Sequence, residues 1–266
     1  MARAARHATP FHGLLFLSVL ALASDGSPLA AQTPAPSASP GAPERARVAE
    51  RRPVEEDPLR TDWAKLQRYR QANAELRSTP GERRVVFMGN SITEGFAPHF
   101  AALFPGRPYV GRGISGQTTP QMLVRFRQDV VALKPAVVVI LGGTNDIAGN
   151  TGPATIEMIA VNLASMAELA KANGIRVVLA SVLPAFDYPW SPGRDPAAKI
   201  VALNAWLKDY AAAHDMVYLD YHSAMADERQ GLRRELSEDG VHPNAAGYRV
   251  MAPLAERAIA EALGRP

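Results

Sequence analysis

The 266-residue chain contains no cysteine. That excludes disulfides, thiolate metal sites and a lipid-modified amino-terminal cysteine, and leaves packing and hydrogen bonding to hold the fold. Charge of one sign is also lacking: 29 Lys and Arg against 26 Asp and Glu leave a net charge of +3, with the two signs interspersed. No basic stripe suited to tracking phosphates results, so nucleic acid is not expected as a partner. Histidines are few, and His99, His214, His222 and His242 are scattered, with no pair at the helical spacing of metal ligands. Neither a metal nor another cofactor is expected. The most apolar run, residues 14–23, falls short of the roughly 20 residues that cross a bilayer.

What is present suits one sizeable core, since 47% of the residues are hydrophobic in a chain of single-domain length. Arg3 and Arg6 precede the apolar run, and the small residues Ala30 and Ala31 follow it. This pattern predicts a signal peptide over 1–31 and a secreted or periplasmic protein without stable membrane insertion after cleavage, a retained anchor being the alternative. Residues 32–58, rich in Pro, Ala and charge, read as a flexible linker. The folded domain is expected over 59–266, opening with a helix in which Trp63, Leu66 and Tyr69 recur at a spacing of three.

Short β-branched runs at 85–88, 109–110, 136–141, 176–182 and 217–220 alternate with helical stretches at 119–133, 153–172, 196–213 and 244–263. The runs at 136 and 176 are almost continuously apolar, as in parallel strands covered on both faces. Strand and helix in alternation predict an α/β fold with a doubly wound, five-stranded parallel sheet. Ligands bind such sheets beyond the carboxyl ends of the strands. The residues there are Gly89-Asn90-Ser91, Gly111-Arg112-Gly113 and Gly142-Gly143-Thr144-Asn145-Asp146, while Asp239-Gly240-Val241-His242-Pro243-Asn244 precedes the last helix.

Each of these segments alone has an ordinary explanation as a turn or helix cap. Together they bring a serine, a histidine with a nearby carboxylate, and hydrogen-bond donors to one edge. A serine hydroxyl becomes a nucleophile when a base takes its proton, and His242 is the candidate base for Ser91. Asp239, three residues earlier, is placed to accept from the other ring nitrogen. The oxyanion of the tetrahedral intermediate needs donors, and the backbone N–H groups of Ser91 and Gly113 and the Asn145 amide are available. Glycine at 113 lets the backbone approach the ester closely.

With these blocks in place the chain resembles the SGNH or GDSL-like hydrolases, whose four functional residues match Ser91, Gly113, Asn145 and His242. FMGNSITEGF, GRGISGQTT, GGTNDI and DGVHPN look like the family's four blocks, in order, and the resemblance covers 84–263. It implies a flavodoxin-like three-layer α/β/α fold, a serine nucleophile without cofactor, and acyl ester substrates. The branch it is most similar to is that of platelet-activating-factor acetylhydrolases and carbohydrate acetylesterases. Asn90 stands where many members carry aspartate.

The hexapeptide Gly111 to Gly116 also matches a dinucleotide fingerprint, but its helix starts late and the acid expected beyond the next strand is replaced by Gly142 and Gly143. The irregular segment 184–196 is long for its position, and Tyr188 and Trp190 are expected to wall the substrate cleft. Phe186 is open to either a core or a cleft role, His222 is expected at the surface, and Asp146 is expected to bond amides of its own loop. No stretch reads as a long amphipathic lid. The expected function is therefore hydrolysis of short acyl esters, acetyl above all, on a carbohydrate or similar polar alcohol, through an acyl-serine. The alternatives are a lipolytic or phospholipid-deacylating enzyme, or a non-catalytic module that binds acylated glycans.

Overall fold

The computed structural model describes residues 61–76, 79 and 81–265. The expected signal peptide and linker lie outside the described residues. Within them, β1 (Val85–Gly89), β2 (Tyr109–Gly113), β3 (Val137–Leu141), β4 (Arg176–Ala180) and β5 (Val217–Leu219) form one parallel sheet in the order β2-β1-β3-β4-β5. The side chains of a strand alternate between faces, and here both faces are apolar. Val86, Met88, Val138, Ile140, Val177 and Leu179 pack on one side, and Val85, Phe87, Val137, Val139, Val178 and Leu219 on the other.

Helices cover both faces. α4 (Thr119–Asp129), α6 (Ile156–Ala172) and α7 (Pro196–Ala213) supply Met122, Phe126, Ile159, Leu163, Ile200 and Leu203 to the first layer. α2 (Ser91–Phe96), α3 (Phe100–Leu103) and α9 (Ala245–Gly264) supply Ile92, Phe96, Phe100, Tyr248 and Met251 to the second. The helices α1 (Arg70–Glu75), α5 (Thr144–Ala148) and α8 (His222–Met225) are short. This is the three-layer α/β/α arrangement expected. The chain leaves β1 for β2 and then crosses back to β3, so the sheet's switch point lies at the carboxyl end of β1, where open α/β sheets bind ligands.

The opening helix is a correction. Residues 62–69 form successive turns, and only Arg70–Glu75 is helical. The carboxylate of Asp62 takes the N–H groups of Leu66 and Gln67, Lys65 adopts a left-handed conformation (φ 52°), and three glutamine amides from or near α4 bind carbonyls that a helix would need. Gln121 donates to Trp63 O (2.7 Å), Gln117 to Ala64 O (2.8 Å) and Gln128 to Leu66 O (2.7 Å). The result is a strap bonded to the body by side chains of another element.

Candidate active site

Ser91 is the first residue of α2, one residue beyond the end of β1. Asn90 caps that helix, its side-chain oxygen accepting from Ile92 N at 3.2 Å. Asparagine thus organises the turn through its side-chain oxygen, and its buried Nδ2 has no partner among the described residues. The helix is held down from behind by an aromatic cluster: Phe96 meets Phe87 edge-on at 6.0 Å and stacks on Tyr248 at 5.0 Å. Tyr248 belongs to α9 and donates its hydroxyl to Ile92 O at 3.2 Å. That residue ties the helix carrying Ser91 to the one that follows His242.

His242 reaches Ser91 across 151 positions of sequence. Its Nε2 lies 2.9 Å from Ser91 Oγ, and its Nδ1 lies 2.6 Å from Asp239 Oδ2. The other carboxylate oxygen of Asp239 accepts from the backbone N–H groups of Val241 (2.9 Å) and His242 (2.8 Å) and from the Ser237 hydroxyl (3.1 Å). Partial burial works to raise the Asp239 pKa, but the hydrogen bonds from His242 and Val241 and the positive charge His242 can carry outweigh it, and the carboxyl is pulled down to about 2. An ionised Asp239 holds Nδ1 as a donor, which leaves the lone pair of Nε2 for the serine proton.

The donor corner differs from expectation at one residue. Gly113 ends β2 beneath α2: a Cβ there would lie 2.1 Å from Glu94 N and 2.6 Å from Asn90 O. Its glycine is required for strand and helix to touch, and it does not line the cleft at Ser91. The glycine that does is Gly116, three residues on, in a left-handed conformation (φ 79°) with open space beside it. Among the described residues, neither Gly116 N–H nor the first-turn N–H of Ser91 finds an acceptor. Asn145 faces the same space from the start of α5, with Nδ2 donating to Gln117 O at 2.8 Å. A side-chain amide carries two hydrogens, so one remains for the cleft. Residues lining this cleft thus leave three donors unused among the described residues: Ser91 N, Gly116 N and one hydrogen of Asn145 Nδ2. Gly116 lay within the GRGISGQTT block, but two glycines three apart are equivalent until the path of the loop is known.

Trp190 is exposed and Tyr188 is not, which corrects the second expectation. Tyr188 is completely buried, with its hydroxyl 2.9 Å from Thr144 Oγ1, and burial pushes its pKa up to about 12. Its ring stacks under Trp190 at 5.1 Å, so it supports the cleft wall without forming it. Trp190 lies 5.9 Å from the His242 ring and donates Nε1 to Asn150 Oδ1 at 3.0 Å, while Asn150 Nδ2 donates to Gly116 O at 3.1 Å. Asn150, unnoticed in the sequence, thereby joins the aromatic wall to the donor loop. The cleft bounded by these groups and Ser91 measures about 360 Å³. Phe186 is half exposed beneath the Arg229 guanidinium, 3.6 Å from its ring centre.

Two further residues depart from expectation. His222 is buried, its Nε2 without a partner among the described residues, because α8 folds back under Ser181. Asp146 reaches beyond its own loop to the start of α4, accepting from Thr119 N (3.0 Å) and Thr119 Oγ1 (2.6 Å). Among the described residues no group of three His, Asp or Glu is disposed to hold a metal ion.

The model of the GDSL-like lipase/acylhydrolase family matches residues 87–250. The crystal structure of a GDSL-like lipase from Bacteroides thetaiotaomicron is 46% identical, covers 76% of this chain and is itself fully covered, with a TM-score of 0.73. A curated acetylxylan esterase from Xylanibacter ruminicola is 26% identical over 69% of this chain, which spans only 45% of that relative's length. A variant of an acetylxylan esterase from Geobacillus stearothermophilus, 20% identical over 70% of this chain and 95% of its own, shares the fold with a TM-score of 0.56. With its parallel sheet, its four sequence blocks and its match over most of the described residues, the chain belongs to the GDSL-like lipase/acylhydrolase family of ester hydrolases.

Proposed function

We propose that the protein is a serine esterase that removes short acyl groups, acetyl above all, from a carbohydrate or similar polar alcohol through an acyl-serine. The observation that carries this reading is the unbroken chain from Ser91 Oγ to His242 Nε2 (2.9 Å) and from His242 Nδ1 to Asp239 Oδ2 (2.6 Å). Ser91 Oγ attacks the ester carbonyl as its proton passes to His242 Nε2. The oxyanion is received by Ser91 N, Gly116 N and Asn145 Nδ2. Collapse returns the proton to the departing alcohol. Water then attacks the acyl-serine, with His242 again as base, and the acid leaves.

The acyl size follows from the cleft. The cleft is small and open, with Trp190 lining it beside His242, so a long chain finds little enclosed apolar surface. Each buried methylene is worth about 0.8 kcal/mol, so a long-chain enzyme would have to supply a channel of that kind. The likeness to acetylxylan esterases supports an acetylated carbohydrate as the class of substrate. The arrangement of Arg3, Arg6, the apolar run 14–23 and Ala30-Ala31 supports action outside the cytoplasm. Amino-terminal sequencing of the secreted protein checks that point, a start near Gln32 being expected.

The decisive experiment is labelling by a fluorophosphonate with Ser91→Ala as the control. Wild type is expected to be labelled at Ser91 and to release acetate from acetylated xylooligosaccharides. Ser91→Ala should fold and do neither. Labelling at a different serine would overturn the assignment.

A further inference from the structure

The strap at 61–76 precedes the region that the family model matches, yet it is bonded to the donor corner of the cleft. Tyr69 donates its hydroxyl to Gly113 O, Asn73 Nδ2 donates to Asp129 Oδ1 at 2.7 Å, and Ala64 O accepts from Gln117 Nε2 at 2.8 Å. The last contact stands apart because of what else Gln117 holds. Its side chain is 1% exposed, and its Oε1 accepts from Arg125 Nε at 2.5 Å. Its carbonyl oxygen accepts Asn145 Nδ2 at 2.8 Å, and the residue before it is Gly116.

Arg125 is itself fully buried and clamps the ends of two strands, donating through Nη2 to Gly89 O (2.8 Å) and Arg112 O (3.0 Å), while Asp129 Oδ2 takes Nη1 at 3.0 Å. A buried guanidinium is tolerated only when its donors are matched, so this clamp has one geometry. Gln117 is thus the junction of the strap, the Arg125 clamp and two of the three oxyanion donors.

We infer that Gln117 is a positioning residue for ester hydrolysis, aiming Gly116 N and Asn145 Nδ2, and that the strap outside the family region belongs to the catalytic apparatus through it. The inference rests on the serine-esterase reading above. Donors aimed in advance act on the transition state and not on the bound ester. Loosening them lowers kcat and leaves KM in place, and misplacement by about 1 Å is enough to cost on the order of 100-fold.

The test uses the full chain, p-nitrophenyl acetate and Gln117→Met, which keeps length and burial but removes both side-chain hydrogen bonds. The expected result is a kcat lower by about tenfold with KM within about twofold, at a pH where wild type is fully active. In an Asn145→Ala background the same substitution should cost less than about threefold, because one of the donors it aims is gone. An unchanged kcat in Gln117→Met, or an equal tenfold loss in both backgrounds, would overturn the inference. If Gln117→Met fails to fold, Gln117→Glu, which keeps an acceptor for Arg125 and loses the bond to Ala64 O, is read by the same criteria. Turnover that persists in Ser91→Ala would instead remove the esterase reading beneath it.

Discussion

An oxyanion hole is worth what its donors contribute before the charge appears, and in the proposed one each donor is held by a different local device. Ser91 N is an open first-turn amide of α2, Asn145 is steadied by Gln117 O, and Gly116 N is exposed by a left-handed backbone. Removing such a donor acts on the barrier, so Asn145→Ala is expected to lower kcat and kcat/KM together by about 100-fold with KM little changed. Steady-state kinetics on p-nitrophenyl acetate check this, and a pure KM effect would place Asn145 in ground-state binding. The two glycines of the same block should separate cleanly. In Gly113→Ala the new methyl meets the α2 backbone at 2.1 Å, so a stability loss of about 1–3 kcal/mol is expected by urea unfolding. In Gly116→Ala nothing blocks the methyl, the left-handed conformation costs about 1–2 kcal/mol, and the larger effect falls on kcat.

At the level of elements, the strands were legible as β-branched runs because both faces of a parallel sheet are buried, and the long helices as periodic stretches between them. The strap was not. The spacing of Trp63, Leu66 and Tyr69 fits a helix, but three glutamines distant in sequence take its carbonyls, and nothing local announces them. The loop after β4 was read half correctly for a related reason. Tyr188 and Trp190 lie two apart, and only the packed loop decides which ring goes under and which stays out. Trp190 forms the wall and braces Asn150. On the proposed reading, in which Trp190 bounds the acyl group, Trp190→Ala should raise kcat/KM for p-nitrophenyl hexanoate relative to acetate by about fivefold while slowing acetate release from acetylated oligosaccharides. A ratio identical to wild type counts against the wall.

Over the whole molecule, two carboxyls bias stability with pH in opposite senses. Asp239 is held down at about 2, so its contribution is complete above the ordinary carboxyl value of 3.8 and is lost as pH falls through about 2. Asp146 is pushed up to about 6 by burial against the opposing hydrogen bonds from Thr119, so its contribution is complete below 3.8 and declines as pH rises through about 6. Urea midpoints measured from pH 3 to 8 should accordingly show a flatter profile between pH 4 and 7 in Asp146→Asn than in wild type. A wild-type profile already flat there would refute the assignment of that carboxyl. Sequence alone determined the fold class and the edge where the candidate site lies, and it singled out Ser91, Asn145, Asp239 and His242, which the structure brings together. Strand patterns, turn residues and the three-residue spacing of Asp239 from His242 are local, and the rules linking them to sheet edges and ring orientation are general. Only the tertiary structure decided that Gly116 and not Gly113 faces the cleft, that Tyr188 supports while Trp190 walls, and that Gln117 joins strap and donors. Each of those depends on a contact between residues far apart in sequence or on the path of a loop, which local residue patterns do not encode.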